Sequence, residues 1–135
     1  MFLSQTSRYA LQAACFLAAH WDEDRPITVG DIANELDVPR NYLSKTLHQL
    51  ARHGVLHSER GARGGFRLAA PPGEIRLSQI VRLVEPDIGA RYCLLGRPAC
   101  RDDDPCPAHA RWRSMAEDFN RFLEETTLAD LARNG

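Results

Sequence analysis

Cys93, Cys100 and Cys106 are spaced C-x6-C-x5-C, and His109 follows the last of them by three residues. Three thiols and an imidazole in one short stretch are soft donors, the set that suits a soft metal ion or an iron–sulfur cluster. Arg, Asp, Pro and Gly fill the gaps, so neither helical nor strand periodicity runs through the segment. The spacing is too wide for a thioredoxin-like C-x-x-C and does not match the C-x2-C pairs of a zinc ribbon. An iron–sulfur site tolerates wide, irregular gaps because its ligands wrap an object several ångströms across. Cys106-Pro107 resembles the Cys-Pro ending of some ferredoxin motifs, and His109 is the best local candidate for a fourth ligand. An imidazole in place of a thiolate makes such a site one unit less negative and raises its potential, as in Rieske centres. Asp102, Asp103 and Asp104 act in the opposite sense and are expected to form a solvated charge run, offset in part by Arg97 and Arg101. Two other readings stay open on spacing alone: unligated thiols acting as a peroxide or disulfide switch, and zinc. The fourth cysteine, Cys15, lies among Ala, Phe and Leu and is expected to be a small core residue.

The elements that position this loop are those of a small soluble protein. A chain of 135 residues suits one domain with an appended helix, and 44% apolar with 26% charged residues is ordinary for a globular protein. No apolar run approaches the ~20 residues that span a bilayer. The opening MFLSQTSRYA lacks the basic region of a secretory signal. A cytoplasmic location is expected, where thiols stay reduced and clustered cysteines act as ligands or sensors. No nucleophile–base pair or phosphate loop is visible, so an enzyme is not expected. An electron carrier would have no need of the DNA-reading elements described next.

Apolar residues at Tyr9, Ala10, Ala13, Phe16 and Leu17 predict a first helix over residues 6–20, followed by a turn at Asp22–Pro26. Thr28-x-x-Asp31 fits a capping box at the start of a second helix with Ile32, Ala33 and Leu36 inward. Pro39 breaks the chain, and a third helix from Arg40 to His53 turns Leu43, Leu47 and Leu50 inward before Gly54. Val55-Leu56 and Phe66-Leu68 flank a glycine-rich reversal, a β-hairpin wing behind a helix-turn-helix. Leu77–Glu85 predicts a further helix capped by Ser78 and stopped by Pro86. After the cysteine loop, Trp112, Met115, Phe119, Phe122 and Leu123 form an apolar stripe on a helix from Ala110, suited to pairing two subunits. Thr127-x-x-Asp130 caps a final turn. The expected fold is mainly α with a small β-hairpin. A winged helix-turn-helix over residues 1–73 leads to a connecting helix and cysteine loop over 74–109, then a long dimerisation helix and C-terminal turn over 110–135.

The net charge of −1 hides an asymmetry. Between Val38 and Ala69 six Lys/Arg face one acid, Glu59, a local net charge of +5 that leaves −6 for the remainder. Such an imbalance points to nucleic acid as a partner of that segment. The side of the third helix away from its leucines carries Arg40, Asn41, Tyr42, Ser44, Lys45, His48, Gln49 and Arg52. Arg40, Asn41 and Ser44 near its start are placed to reach base edges, because a recognition helix enters the major groove by its N-terminal part. Arg pairs bidentately with guanine and Asn with adenine, each worth ~1–3 kcal/mol of discrimination. Lys45 and Arg52 are expected on phosphates. Arg60 and Arg63 flank wing glycines that let backbone approach a groove, where an Arg can enter the minor groove.

These residues together resemble the bacterial winged-helix regulators typified by IscR and NsrR, the Rrf-two family. The resemblance spans nearly the whole chain: S-R-Y-A-L at 7–11, R-G-A-R-G-G-F-R-L-A at 60–69, I-R-L-S-Q-I-V-R-L-V-E at 75–85, the three cysteines, and T-L-A-D-L at 127–131. It implies homodimers on partly palindromic double-stranded DNA operators, with the C-terminal helix crossing to the partner. It also implies, in sensing members, a 2Fe–2S or 4Fe–4S cluster on Cys93, Cys100 and Cys106, the two-iron form slightly favoured. The IscR-like fourth ligand corresponds to His109. The NsrR-like aspartate would fall at Arg8, which cannot ligate. R-N-Y at 40–42 and V-E-P at 84–86 are nevertheless NsrR-like, so the branch stays open. The expected function is a cluster-sensing transcription factor, a repressor, with a cluster-free thiol-switch regulator as the alternative.

Overall fold

Small side chains decide how the centre of the molecule is built. The computed structural model describes residues 3–89 and 93–134. Residues 90–92 of the expected connecting segment, and the chain ends at 1–2 and 135, lie outside the described residues. Helix α1 (Gln5–Ala19) starts at Ser4, whose hydroxyl accepts the Ser7 N–H at 3.1 Å. Its buried face is Ala10, Ala13, Ala14, Leu17 and Ala18. Alanines on that face let neighbouring helices approach closely, and α1 packs against α2, α3, α4, α6 and β2. Cys15 lies half-buried against this core, as expected, and burial pushes its thiol above the ordinary cysteine value.

Helix α2 (Val29–Leu36) is capped by Thr28, whose hydroxyl accepts the Asp31 N–H at 3.1 Å. It ends at Asp37 in the left-handed region (φ 54°), and α3 (Arg40–Arg52) begins directly after Pro39. Leu43, Leu47 and Leu50 are fully buried. Gly54 at φ +82° then reverses the chain into β1 (Leu56–Glu59), which pairs antiparallel with β2 (Gly65–Leu68), Leu56 opposite Leu68 and Ser58 opposite Phe66. The hairpin is also held from behind. Ile27 exchanges both backbone hydrogen bonds with Phe66, at 2.8 and 2.9 Å, a one-residue antiparallel bridge against the outer side of β2. A Cβ on Gly65 (φ +148°) would collide with the Ile27 backbone, and one on Gly64 with the Glu59 carbonyl. These two glycines therefore serve close approach within the chain, whereas Gly61 (φ +102°) faces open space at the wing tip.

Helix α4 (Leu77–Val84) differs from expectation at its start. Arg76 is the N-cap, and its backbone N–H donates to the Gln79 side chain at 2.7 Å. Ser78 sits inside the first turn and is buried, so it does not cap the helix. Helix α5 (His109–Glu125) takes in His109 as its first residue, and α6 (Leu128–Asn134) follows a reciprocal cap: Thr127 N–H to Asp130 at 2.9 Å and Asp130 N–H to the Thr127 hydroxyl at 3.2 Å. The end of α5 returns to the segment before α4 through Leu77 N–H to the Thr126 carbonyl (3.0 Å) and Leu128 N–H to the Ile75 carbonyl (2.9 Å). One hydrophobic core thus runs from Ala10 to Leu128 across all three expected segments.

Leu123 is the buried residue of α5, at 1% exposure. Its assignment to a subunit interface is corrected on that ground, because the side chain is already enclosed by its own chain. Met115 and Phe122 are exposed, Trp112 and Phe119 half-buried. Phe119 packs against the edge of the core, so Met115 and Phe122 are the stripe residues left exposed.

Candidate nucleic-acid surface and cysteine site

Because Leu43, Leu47 and Leu50 fix the inner face of α3, the opposite face must be outward. Arg40, Asn41, Lys45, His48 and Arg52 are exposed there, and Ser44 is half-buried. The Arg40 guanidinium carbon lies 3.8 Å from the point where a Cβ on Gly30 would stand, over the first turn of α2. Tyr42 is 44% exposed but is not a free surface residue. Its ring meets Tyr9 edge-on at 5.4 Å, and its hydroxyl touches that of Thr6, which ties α3 to the start of α1. The His48 ring stands edge-on to Phe66 of the wing at 5.1 Å. Gln49 is corrected more fully. Its side-chain amide turns away from the outer face and donates to the Leu83 carbonyl of α4 at 2.8 Å.

Arg60 and Arg63 are exposed at the turn of the hairpin. Arg67 pairs with Asp24 at 3.0 Å and Glu59 at 3.3 Å and braces the base of the wing. The wing tip and the outer face of α3 therefore carry the cations that are available to phosphates.

The cysteine loop has no regular structure between Cys93 and Ala108, as its composition predicts. At its start the chain turns tightly, Gly96 at φ +84° returning its N–H to the Cys93 carbonyl at 3.1 Å. The turn brings the Arg97 N–H toward the Cys93 sulfur, which holds this thiol below the ordinary cysteine value. Burial opposes that effect, while the Leu95 N–H, the Cys106 thiol and the Arg97 charge reinforce it. Backbone N–H groups aimed at a sulfur stabilise the thiolate, the form that ligates and reacts. Cys106 is buried and Cys100 half-buried. The Cys100 sulfur lies 3.5 Å from Nδ1 of His109. His109 is held by its backbone N–H to the Cys106 carbonyl (3.0 Å) and by Nε2 at 3.0 Å from an Asp102 carboxylate oxygen. Asp102 also pairs with Arg113 of α5.

The four predicted donors thus meet as two pairs, Cys93 with Cys106 and Cys100 with His109. Among the described residues no three His, Cys, Asp or Glu side chains converge on one point as a single metal ion requires. Asp103 and Asp104 behave as expected: they are exposed and pair with Arg101 (2.6 Å) and Arg97 (3.7 Å), and the Arg101 contact holds the Asp103 carboxyl below its usual value. Asp102 is exposed too, but its carboxylate also meets His109 and Arg113. Its contact with His109 and the Gln49 contact with Leu83 carry no sequence signal, since both link irregular or distant segments. Beside the loop, Leu94, Pro107, Ala108, Arg111, Trp112 and Met115 line an open groove that the loop shares with the exposed stripe of α5.

A helix-turn-helix with a two-stranded β-hairpin wing and a cationic outer face on its second helix defines a winged-helix DNA-binding regulator. The chain belongs to the Rrf2 family, described as iron-dependent transcriptional regulators, whose model matches residues 3–134. A protein of Aquifex aeolicus, provisionally named as an HTH-type transcriptional regulator, is 37% identical over 133 residues, 97% of this chain and 91% of its own length. The HTH-type transcriptional regulator IscR of Serratia proteamaculans is 31% identical over 134 residues, 99% of this chain and 80% of its own. Among solved structures, CymR, named as the global cysteine regulator of Bacillus subtilis, superposes with a TM-score of 0.86 at 27% identity, covering 100% of this chain and 98% of its own. The protein is accordingly a DNA-binding transcriptional regulator, and not an enzyme. No helix among the described residues is long and apolar enough to cross a membrane.

Proposed function

We propose that the protein is a homodimeric repressor whose affinity for a partly palindromic operator depends on an iron–sulfur cluster held by Cys93, Cys100, Cys106 and His109. The observation that carries this reading is the placement of the Cys100 sulfur 3.5 Å from His109 Nδ1, with Cys93 and Cys106 as a second pair. Two donor pairs that do not share a point suit a polynuclear group better than a single zinc ion. A bound cluster would supply a charge and ligand state that changes on electron transfer or on attack by a small oxidant. Arg97 and Leu95 present N–H groups to the Cys93 sulfur and favour its thiolate.

The loop begins where α4 ends and finishes where α5 begins. Gln49 ties α3 to the last turn of α4, and Arg82 of α4 bonds Asn120 (3.4 Å) and Glu124 (3.0 Å) of α5. A change in loop conformation is therefore felt by the recognition helix and by the dimer arm together. Half-sites lie about one helical turn apart, ~34 Å, so a small relative rotation of two recognition helices weakens simultaneous docking. Arg40, Asn41 and Ser44 read base edges in this account. Lys45, His48 and Arg52 hold backbone phosphates, with Arg60 and Arg63 in the minor groove. Tyr42 orients the helix against α1. Trp112, Met115, Phe119 and Phe122 meet the partner subunit, adjacent to Leu94 and Leu95.

Anaerobic purification tests the cluster reading. Iron and sulfide in near-equal amounts, lost in a Cys100→Ala protein that still folds, are expected. Colourless protein without iron or sulfide after anaerobic reconstitution would overturn it. That result would favour a second reading, a thiol-switch regulator, which the contact of Cys93 with Cys106 and the likeness to a cysteine regulator support. Mass analysis after mild peroxide would then find a Cys93–Cys106 disulfide.

A further inference from the structure

We propose that Asp102 is a positioning residue for the sensor site: it fixes the proton of His109 on Nε2 and so presents Nδ1 as the ligating atom. The inference rests on the reading of His109 as a ligand and deepens it. It starts from a difference between the two ring nitrogens. Nε2 lies 3.0 Å from an Asp102 carboxylate oxygen, and Nδ1 lies 3.5 Å from the Cys100 sulfur. A neutral imidazole carries one N–H, and an ionised carboxylate only accepts. The proton therefore belongs on Nε2. Nδ1 is left with its lone pair facing Cys100, whose thiol can donate to it, and is the ring atom that would ligate a cluster bound there.

The ring has little freedom to choose otherwise. His109 is the first residue of α5, its backbone N–H is fixed to the Cys106 carbonyl at 3.0 Å, and its side chain is 14% exposed. Asp102 is in turn oriented by Arg113, one turn further along α5, whose Nε donates to Glu117 at 2.9 Å. Glu117, Arg113, Asp102 and His109 thus form a relay of charged contacts from the exposed arm to the loop. Its neighbours in the acidic run do not substitute for Asp102, since Asp103 and Asp104 are engaged with Arg101 and Arg97. Carboxylate partners of ligating histidines recur at metal sites, where they set the tautomer and raise the basicity of the ligand, and their loss costs ~10–100-fold in metal affinity. Asp102 is 57% exposed, and an exposed ion pair adds little to folding stability, so its substitution reads the site and leaves the fold.

Two measurements test this. In reduced, metal-free protein carrying nitrogen-labelled histidine, long-range proton–nitrogen spectra at mildly alkaline pH should show His109 as the Nε2–H tautomer. Asp102→Ala should shift it toward a mixture, and Asp102→Asn, which can still accept from Nε2, should restore it. An Nδ1–H tautomer in the wild type, or one unmoved by Asp102→Ala, overturns the proposal. In anaerobically loaded protein, Asp102→Ala should shorten cluster retention against a chelator by ~10-fold or more. Asp102→Asn should make the cluster easier to reduce, and neither change should matter once His109 is Ala. Equal effects of Asp102→Ala with and without His109 would also overturn it. Failure to load any cluster would remove the reading of His109 as a ligand, while the tautomer measurement would still decide where Asp102 holds the proton.

Discussion

Gly65 shows how a single residue is committed to the chain rather than to DNA. It stands at φ +148° with the Ile27 backbone where a Cβ would be, and Ile27 is the residue that holds Phe66 from behind. Gly65→Ala is therefore expected to destabilise the wing by ~1–3 kcal/mol, the usual cost of a strained backbone position. Urea denaturation checks this, alongside Gly61→Ala, which faces open space and meets only the φ penalty. Equal losses for the two would mean that the approach to Ile27 is unimportant. Type and spacing alone single out the three thiols and His109 as a candidate site, and the structure brings them together as two pairs. The role of Asp102 was not legible, since an Asp in a run of three carries no mark of which member meets the histidine. Leu123 misled for a related reason: it lies on the same helical stripe as Trp112 and Phe119, and periodicity cannot say where a helix leaves its own core.

At the scale of elements, the order of helices and the hairpin followed from patterning that the structure repeats closely. The three leucines of α3 at helical spacing, Pro39 before it and Gly54 after it left little choice. The start of α4 differed because Ser78 resembles a cap in sequence, yet the segment pairs with Thr126 and Thr127, which places the cap at Arg76. Such long-range pairing is invisible to local pattern. The contact that joins α3 to the last turn of α4 is also non-local, the Gln49 amide on the Leu83 carbonyl. A side chain–backbone hydrogen bond contributes ~0.5–1.5 kcal/mol, so Gln49→Ala should lower stability only modestly. If the contact transmits the state of the loop, the same variant should reduce the ratio of operator affinities between the loaded and cluster-free protein several-fold while non-specific DNA binding is unchanged. A preserved ratio would show that coupling runs through other contacts, α4 to α5 among them.

For the whole molecule, the division of charge matches the division of labour. Among the described residues the exposed cations of α3 and the wing tip, Arg40, Lys45, Arg52, Arg60 and Arg63, stand outside the ion pairs, whereas Arg97 and Arg101 of the loop and Arg113 and Arg121 of α5 pair with Asp104, Asp103, Asp102, Glu117 and Asp118. Phe122 at 51% and Met115 at 43% exposure stand on the open side of α5, and Met115 and Trp112 share one groove with the exposed Leu94 of the loop. A dimer formed there would seat the cysteine site next to the partner. Met115→Asp combined with Phe122→Asp is expected to give a monomer by sedimentation. The monomer should lose operator affinity steeply and show about half the dependence on salt concentration, because half the phosphate contacts remain. A dimer unaffected by both charges would place the interface elsewhere.

The central claim is that one loop sets the DNA affinity of the dimer, and one titration tests it most directly. A single anaerobic preparation is divided, one half is stripped of iron by a chelator under reducing conditions, and both are titrated onto the operator at one salt concentration. The account predicts affinities that differ by ~5–150-fold, the span of ordinary allosteric coupling, with the difference abolished in Cys100→Ala. Equal affinities of the loaded and stripped halves would contradict it.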